Sequence, residues 1–172
     1  MQLRTLFAAL VLLGIAGASD QAIAAGKITL TTDTPWVIAD GQAEAVRRAI
    51  EDVKNDWYKV TGHVPVILAK PPEGWDGPIV YLGQKGPWLD DLVKRPWPGP
   101  ESFVLSVRKD PAGRPALVAT GADLRGTIYA AYAFSEKVLK VDPWYFWVDK
   151  EPARQPVIEV PEDLHEAFGP PT

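Results

Sequence analysis

Residues that could carry acid–base, nucleophilic or metal chemistry are sparse in this sequence. It has no cysteine and two histidines, His63 and His165, and neither histidine lies in a recognisable catalytic setting. A nucleophilic triad needs a serine or cysteine beside a histidine and an acid, and a zinc site needs three or four suitably spaced ligands. The sequence therefore predicts no catalytic residue, no metal ligand and no cofactor.

Carboxylates are the remaining candidates, because glycoside hydrolysis uses two of them roughly 5 to 10 Å apart. The acids considered are Asp90, Asp91, Asp142, Asp149, Glu162 and Asp163. Adjacent acids on a short helix usually face solvent, and the others fall in loops. None of them is assigned as a catalytic acid or base.

Four consecutive aromatic residues, Trp144, Tyr145, Phe146 and Trp147, form the best candidate for a binding surface. In an extended segment, successive side chains point to opposite faces, so part of this run is expected on the surface. Flat apolar rings with polar tips suit either the faces of sugars or a partner domain. Both interpretations, sugar binding and domain docking, stay open at this point.

The N-terminus is typical of a secretory signal peptide. Arg4 is followed by an apolar run over 6–16 and by small residues at Ala22 and Ala24 that fit a cleavage site. The run is too short to span a bilayer, which needs about 20 residues. We expect a signal peptide at 1–25 and an exported mature protein, periplasmic or extracellular, without a membrane anchor. Its net charge of −4 argues against nucleic acid and anionic membranes as partners.

Hydrophobic periodicity predicts the order of the elements. Strand patterns occur at 27–32, 36–39, 65–69, 79–83, 101–108, 115–120 and 155–160, and helical patterns at 43–60, 88–94 and from 123 to about 139. The continuous apolar run at 65–69 is expected to be a strand covered on both faces. The order predicts a single α/β domain with two main helices packed on a mixed sheet.

The third helical pattern carries the most local detail. Asp123 is a good N-cap, because its side chain can accept from free backbone amides one turn on. Gly126, Ala130 and Ala133 form a face of small residues. Since a glycine inside a helix costs about 1 kcal/mol relative to alanine, Gly126 predicts close packing against another element, the favoured reason, or an approaching backbone.

The same stretch carries a family resemblance. The runs Arg125-Gly-Thr-Ile-Tyr129, Tyr132, Ser135-Glu136 and Pro143-Trp-Tyr-x-Trp-x-Asp149 resemble the N-terminal domain of glycoside hydrolase family 115, the xylan α-glucuronidases. Leu82-Gly83-x-x-Gly86, Phe103-Val104 and Gly121-x-Asp123 match in the same order. The resemblance covers the chain from about residue 27 to its end. Ala130, Ala133, Phe146 and Val148 depart from the family pattern.

The resemblance implies an α/β domain similar to the second domain of β-hexosaminidases. In the family this domain precedes a (β/α)8 barrel that removes glucuronic or 4-O-methylglucuronic acid from xylan and carries the catalytic carboxylates. The implied layout is a signal peptide at 1–25, the domain at 26–160, and a linker at 161–172 that would lead into a barrel absent from the sequence. The candidate substrate or domain-interface residues are Trp144, Tyr145, Trp147, Asp149 and Arg125.

The expected function is that of an exported, non-catalytic and truncated N-terminal domain of a xylan α-glucuronidase-like enzyme. Such a domain would act in plant polysaccharide breakdown only with a barrel domain. The alternative is a stand-alone secreted module that binds sugar or docks a partner. The expected partners are accordingly the catalytic barrel domain or a xylan-derived oligosaccharide.

Overall fold

The computed structural model describes residues 26–93, 97–145 and 147–169, so the predicted signal peptide at 1–25 lies outside the described residues. Its elements are β1 (Lys27–Leu30), β2 (Pro35–Val37), α1 (Glu44–Thr61), β3 (Val66–Leu68), β4 (Ile79–Leu82), α2 (Leu89–Leu92), β5 (Phe103–Lys109), β6 (Pro115–Gly121), α3 (Leu124–Ala133), β7 (Ile158–Pro161) and β8 (His165–Phe168). A π-helical turn, Phe134–Val138, continues α3. Among these described elements, no helix combines the length and apolar character needed to cross a membrane.

Six strands form a mixed sheet in the order β3-β2-β4-β6-β5-β8. The first four run parallel, and β5 lies antiparallel to both of its neighbours. Strands β1 and β7 pair antiparallel as a separate small sheet. The predicted α/β fold, a single domain with helices on a mixed sheet, is confirmed.

Helix α1 buries the predicted stripe against one face of the sheet, where Val46, Ile50, Val53 and Val60 are all in the core. Gly62 ends this helix in the left-handed conformation, with φ 83°, and its amide donates to the Tyr58 carbonyl. Glycine suits this position, because it adopts a positive φ without a Cβ clash. At the centre of the same core, the ring of Trp36 makes edge contacts at 5.3 Å with Trp57 and with Phe134.

The prediction that strand 65–69 is covered on both faces is wrong. β3 is the edge strand of the sheet, and Val66 and Ile67, which point to opposite faces, are 46% and 39% exposed. A continuous β-branched and apolar run suits any strand, so it does not distinguish a central position from an edge.

The expected linker at 161–172 is also partly wrong, because His165–Phe168 forms strand β8 at the other edge of the sheet. β8 pairs with β5 so that Phe103 lies opposite Phe168, and the two rings stack at 4.9 Å. Antiparallel pairing is made by backbone groups, so a short and mostly polar segment can join a sheet without an apolar pattern. Residues 170–172 lie outside the described part of the chain.

The first turn of α3 lies in close contact with the backbone just before β5. Asp123 caps the helix as predicted, with its side chain accepting from the Gly126 amide at 2.9 Å. A Cβ added to Gly126 would lie 2.2 Å from the Ser102 carbonyl oxygen. One added to Gly121 would lie 2.1 Å from the Gly126 carbonyl carbon. Of the two reasons predicted for Gly126, the structure shows the approaching backbone, that of Glu101 and Ser102.

We predict that Gly126→Ala lowers the free energy of unfolding by about 2 kcal/mol or more, because the added methyl group overlaps backbone that has no space to move. In an open helix the same change would raise stability by about 1 kcal/mol, so the expected sign is reversed. The measurement is urea unfolding of the purified chain. Gly169→Ala is the control, since nothing lies within 4 Å of its added Cβ. A neutral or stabilising Gly126→Ala would contradict the prediction.

Candidate functional site

The predicted aromatic segment is not extended. Residues 143–145 and 147–149 form turns, in which the Trp147 amide donates to the Trp144 carbonyl at 2.8 Å. The side chains of Trp144 and Trp147 are 66% and 77% exposed. The rings of Trp144 and Trp147 thus lie on the surface because the chain forms turns here. The prediction had placed them there through the alternation of side chains in an extended segment.

Tyr145 is oriented differently from the two tryptophans and is half-buried against α1. The Lys59 ammonium lies 4.2 Å from the centroid of the Tyr145 ring and donates to its hydroxyl at 2.9 Å. This hydrogen bond raises the pKa of Lys59 above its ordinary value. The contact joins the turn at 143–145 to the last turn of α1.

Arg125 and Asp149 are the other two predicted site residues. Arg125 donates to Glu101 at 2.5 Å and to the Tyr129 hydroxyl at 3.4 Å. Asp149 is exposed and has φ 50°, a left-handed conformation that is uncommon outside glycine. Arg125 therefore stabilises the start of α3, where the Glu101 amide also donates to Asp123 at 2.8 Å.

A groove of about 680 Å³ lies between α1, the C-terminal half of α3 with its π-helical turn, and strand β8. We call it the acidic groove. It is lined by four acidic residues and three tyrosines, namely Asp52, Asp56, Glu136, Glu166, Tyr129, Tyr132 and Tyr145. Of the five predicted site residues only Tyr145 lines it, while Arg125 is connected to it through Tyr129.

Two hydrogen bonds across the acidic groove join α1 to α3. The Tyr132 hydroxyl donates to Asp52 at 2.7 Å, and the Ser135 hydroxyl donates to Asp56 at 2.6 Å. Burial raises the pKa of Asp56, although the hydrogen bond from Ser135 acts against it. Burial and the hydrogen bond to Asp52 raise the pKa of Tyr132 to about 12. The Tyr132 hydroxyl therefore stays a protonated donor at neutral pH.

Strand β8 supplies the opposite wall of the groove. Glu166 pairs in register with the core residue Leu105, which directs its side chain to the helix-covered face of the sheet. Within the described part of the chain, its Oε2 atom is buried and has no hydrogen-bond partner. The nearby Lys137 ammonium donates to Glu136 at 2.8 Å. Glu136 and, more weakly, Glu166 raise the pKa of Lys137.

The π-helical turn brings the polar residues of α3 to the groove. Its Phe134 carbonyl accepts from the Leu139 amide, five residues on, and its Ser135 carbonyl accepts from the Val141 amide, six residues on, both at 3.2 Å. The widened turn keeps Phe134 and Val138 in the core while Ser135 faces Asp56. Such turns occur frequently at functional sites.

The sequence did not predict this groove, because the lining residues of α1 and those of α3 each fit an ordinary helix pattern when the two helices are considered separately. Asp52 and Asp56, four residues apart on α1, fit a solvated helix face, while Tyr132 and Ser135 fit the apolar stripe of α3. One pattern could have indicated the groove. The third helical pattern carries two hydroxyl side chains three residues apart, and the helix it packs against carries two acids four residues apart. In the described ranges, no group of three or more histidine and acidic side chains is arranged to hold a metal ion.

We predict that the pKa of Asp56, followed by NMR titration of its carboxyl carbon, lies above the ordinary value of 3.8. It should rise further in Ser135→Ala, which removes the donor that favours the ionised form. Because the folded pKa is the higher one, the contribution of Asp56 to stability is present in acid and is lost as pH rises through that pKa. Asp56→Asn should therefore become more stable relative to the parent as pH is raised from about 4 to about 7. A pKa at or below 3.8 would contradict this.

Comparison with known proteins identifies similarity in fold. No family model and no curated protein matches the sequence. Among solved structures, BtGH115A, a family GH115 4-O-methyl-α-glucuronidase with specificity for decorated arabinogalactans, matches 83% of this chain with a TM-score of 0.65 and 19% identity. An N-acetyl-β-hexosaminidase of Streptomyces plicatus matches 78% with a TM-score of 0.41 and 15% identity, and the match covers 23% of that enzyme.

The first match confirms the expected family 115-like fold for most of the described domain. It covers 18% of the length of that glucuronidase, so this chain corresponds in fold to a small part of a much larger enzyme.

Proposed function

We propose that this chain is a non-catalytic α/β domain of an exported family 115-type glycoside hydrolase. It sits N-terminal to the catalytic barrel, as the sequence resemblance implies, and acts with it on glucuronic-acid-bearing plant polysaccharide such as xylan. The observation that carries the proposal is the match of 83% of this chain to part of a family GH115 glucuronidase, at a TM-score of 0.65. Export is proposed from the signal-peptide pattern at 1–25.

The contacts in the acidic groove support a non-catalytic role. A general acid or base must reach a proton on the substrate, but Asp52 and Asp56 each accept a hydrogen bond from a helix hydroxyl that holds the fold together. The lining carries four acidic residues and one lysine, so its field repels the carboxylate of a uronic acid. Removal of glucuronic acid therefore belongs to another domain.

The exposed aromatic turn supports docking to such a domain. Trp144, Trp147 and the adjacent Val148 are all exposed large apolar residues. Contiguous apolar surface of this kind is typical of a protein–protein contact. We assign Trp144, Trp147 and Asp149 to the contact with the barrel, and Tyr145 to holding the turn against α1.

We predict that the purified chain releases no glucuronic or 4-O-methylglucuronic acid from glucuronoxylan or from a glucuronic-acid-decorated arabinogalactan. The physical reason is that its groove repels the anionic substrate group. The measurement is product analysis of long incubations, with a complete family 115 glucuronidase as the positive control. Release above the background of a heat-inactivated sample would overturn the proposed function.

Direct sugar binding is the second candidate, favoured by the high exposure of Trp144 and Trp147. Under the docking proposal, calorimetric and fluorescence titrations with aldouronic oligosaccharides are expected to be flat. Binding that is lost in the double variant Trp144→Ala, Trp147→Ala would favour the sugar-binding module instead. Tyr58→Ala is the matched control, because Tyr58 is an exposed aromatic residue on α1, outside the 143–149 turn.

A further inference from the structure

The acidic groove is a second recognition surface, distinct from the exposed tryptophans. We propose that it receives a cationic side chain, an arginine or a lysine, carried by a segment of a partner protein. The inference rests on the proposed function only in taking that partner to be the domain that performs catalysis.

The lining of the groove is negatively charged. Asp52, Asp56, Glu136 and Glu166 line the groove, Lys137 is the one basic residue among the described lining residues, and the Lys59 ammonium lies beside the groove at Tyr145. The Lys137 ammonium is already bonded to Glu136. The lining therefore keeps an excess of negative charge, which a cation neutralises and a neutral ligand leaves in place.

The Glu166 carboxylate has one oxygen without a hydrogen-bond partner in the described part of the chain. Its Oε2 atom is shielded from solvent and accepts no hydrogen bond from the described residues. Glu166 itself is part-exposed and lines the groove, so a ligand there meets its carboxylate, and a carboxylate with an unsatisfied oxygen favours a ligand that brings a donor. A guanidinium group carries five N–H donors in a planar fork, and its bond to a carboxylate is stronger than that of a neutral hydroxyl.

Aromatic rings form part of the lining of the groove. The Lys59 ammonium already occupies the ring of Tyr145, so the rings open to a ligand are the others of the lining. Tyr132 and Phe168 also line the groove and are 45% and 47% exposed. Their rings offer apolar surface to the methylene stem of an arginine or lysine while the charged head reaches the carboxylates.

The size of the groove favours a protein segment over a free small amine. A volume of about 680 Å³ is in the range that holds drug-sized ligands, well beyond one guanidinium group. The exposed rings at its rim would stay in water around a small amine, whereas a peptide segment covers them. A uronic acid is excluded because its carboxylate would face the same acids.

The test is an NMR titration of the uniformly 15N-labelled mature chain with the acetylated and amidated tripeptide Gly-Arg-Gly. Its citrulline counterpart is the control ligand, since citrulline has the shape of arginine without the charge. We expect saturable amide shifts confined to Tyr132, Ser135 and Glu166 and their neighbours, and binding at least about tenfold weaker for citrulline. No shift at about 10 mM arginine peptide, or equal binding of both peptides, overturns the proposal.

A variant pair connects the effect to the groove. Glu166→Gln keeps the shape and removes the charge, so it should weaken binding of the arginine peptide by about tenfold. Glu51→Gln is the matched control, because Glu51 is an exposed acid on α1 whose carboxylate accepts from Lys54 outside the groove. Equal affinity of the two variants would overturn the proposal.

Xylobiose, a neutral sugar, is the competing ligand in the same titration. Shifts at the same residues with xylobiose and none with arginine would overturn the cationic assignment in favour of a sugar. These outcomes are separate from the assay on glucuronoxylan, because only release of uronic acid overturns the non-catalytic role.

Discussion

The position of α3 depends on one contact, that of Gly126 with the carbonyl oxygen of Ser102. Because Gly126 has no side chain, the first turn of the helix lies directly against the backbone just before β5. Asp123 completes this junction by accepting from the amides of Gly126 and Glu101, and these two bonds lower its pKa. Every residue that α3 presents further along, including Tyr132 and Ser135, is placed relative to this junction. The two bonds to α1 and the acidic groove follow from it.

Much of this junction could be predicted from sequence, because its causes are local. An aspartate at a helix start indicates an N-cap, and a glycine in the first turn indicates close packing or an approaching backbone. The strand order, β8 and the π-helical turn have causes that are distant in sequence. β8 exists because β5 offers an unpaired backbone edge, and nothing in the residues 165–168 themselves requires a strand. The acidic groove was missed for the same reason, since Asp56 and Ser135 are separated by 79 positions and become partners only after folding.

The protein presents two surfaces with different physical character. The turn carrying Trp144 and Trp147 is apolar and protrudes, while the groove beside Tyr145 is concave and negative. Tyr145 lies between them, with its hydroxyl held by Lys59 from α1. A partner that covers both surfaces would bury the tryptophans for affinity, and its charge would determine the orientation in which it docks.

The exposed edge strand β3 has a further consequence, for behaviour in concentrated solution. An edge with exposed valine and isoleucine is a template on which strands of other molecules can add. Here the template is three residues long and lies between Pro65 on one side and Pro71 and Pro72 on the other. Proline has no amide hydrogen to donate, so these three positions offer a strand from another molecule carbonyl acceptors only. The prolines around β3 thus disfavour the addition of strands from other molecules.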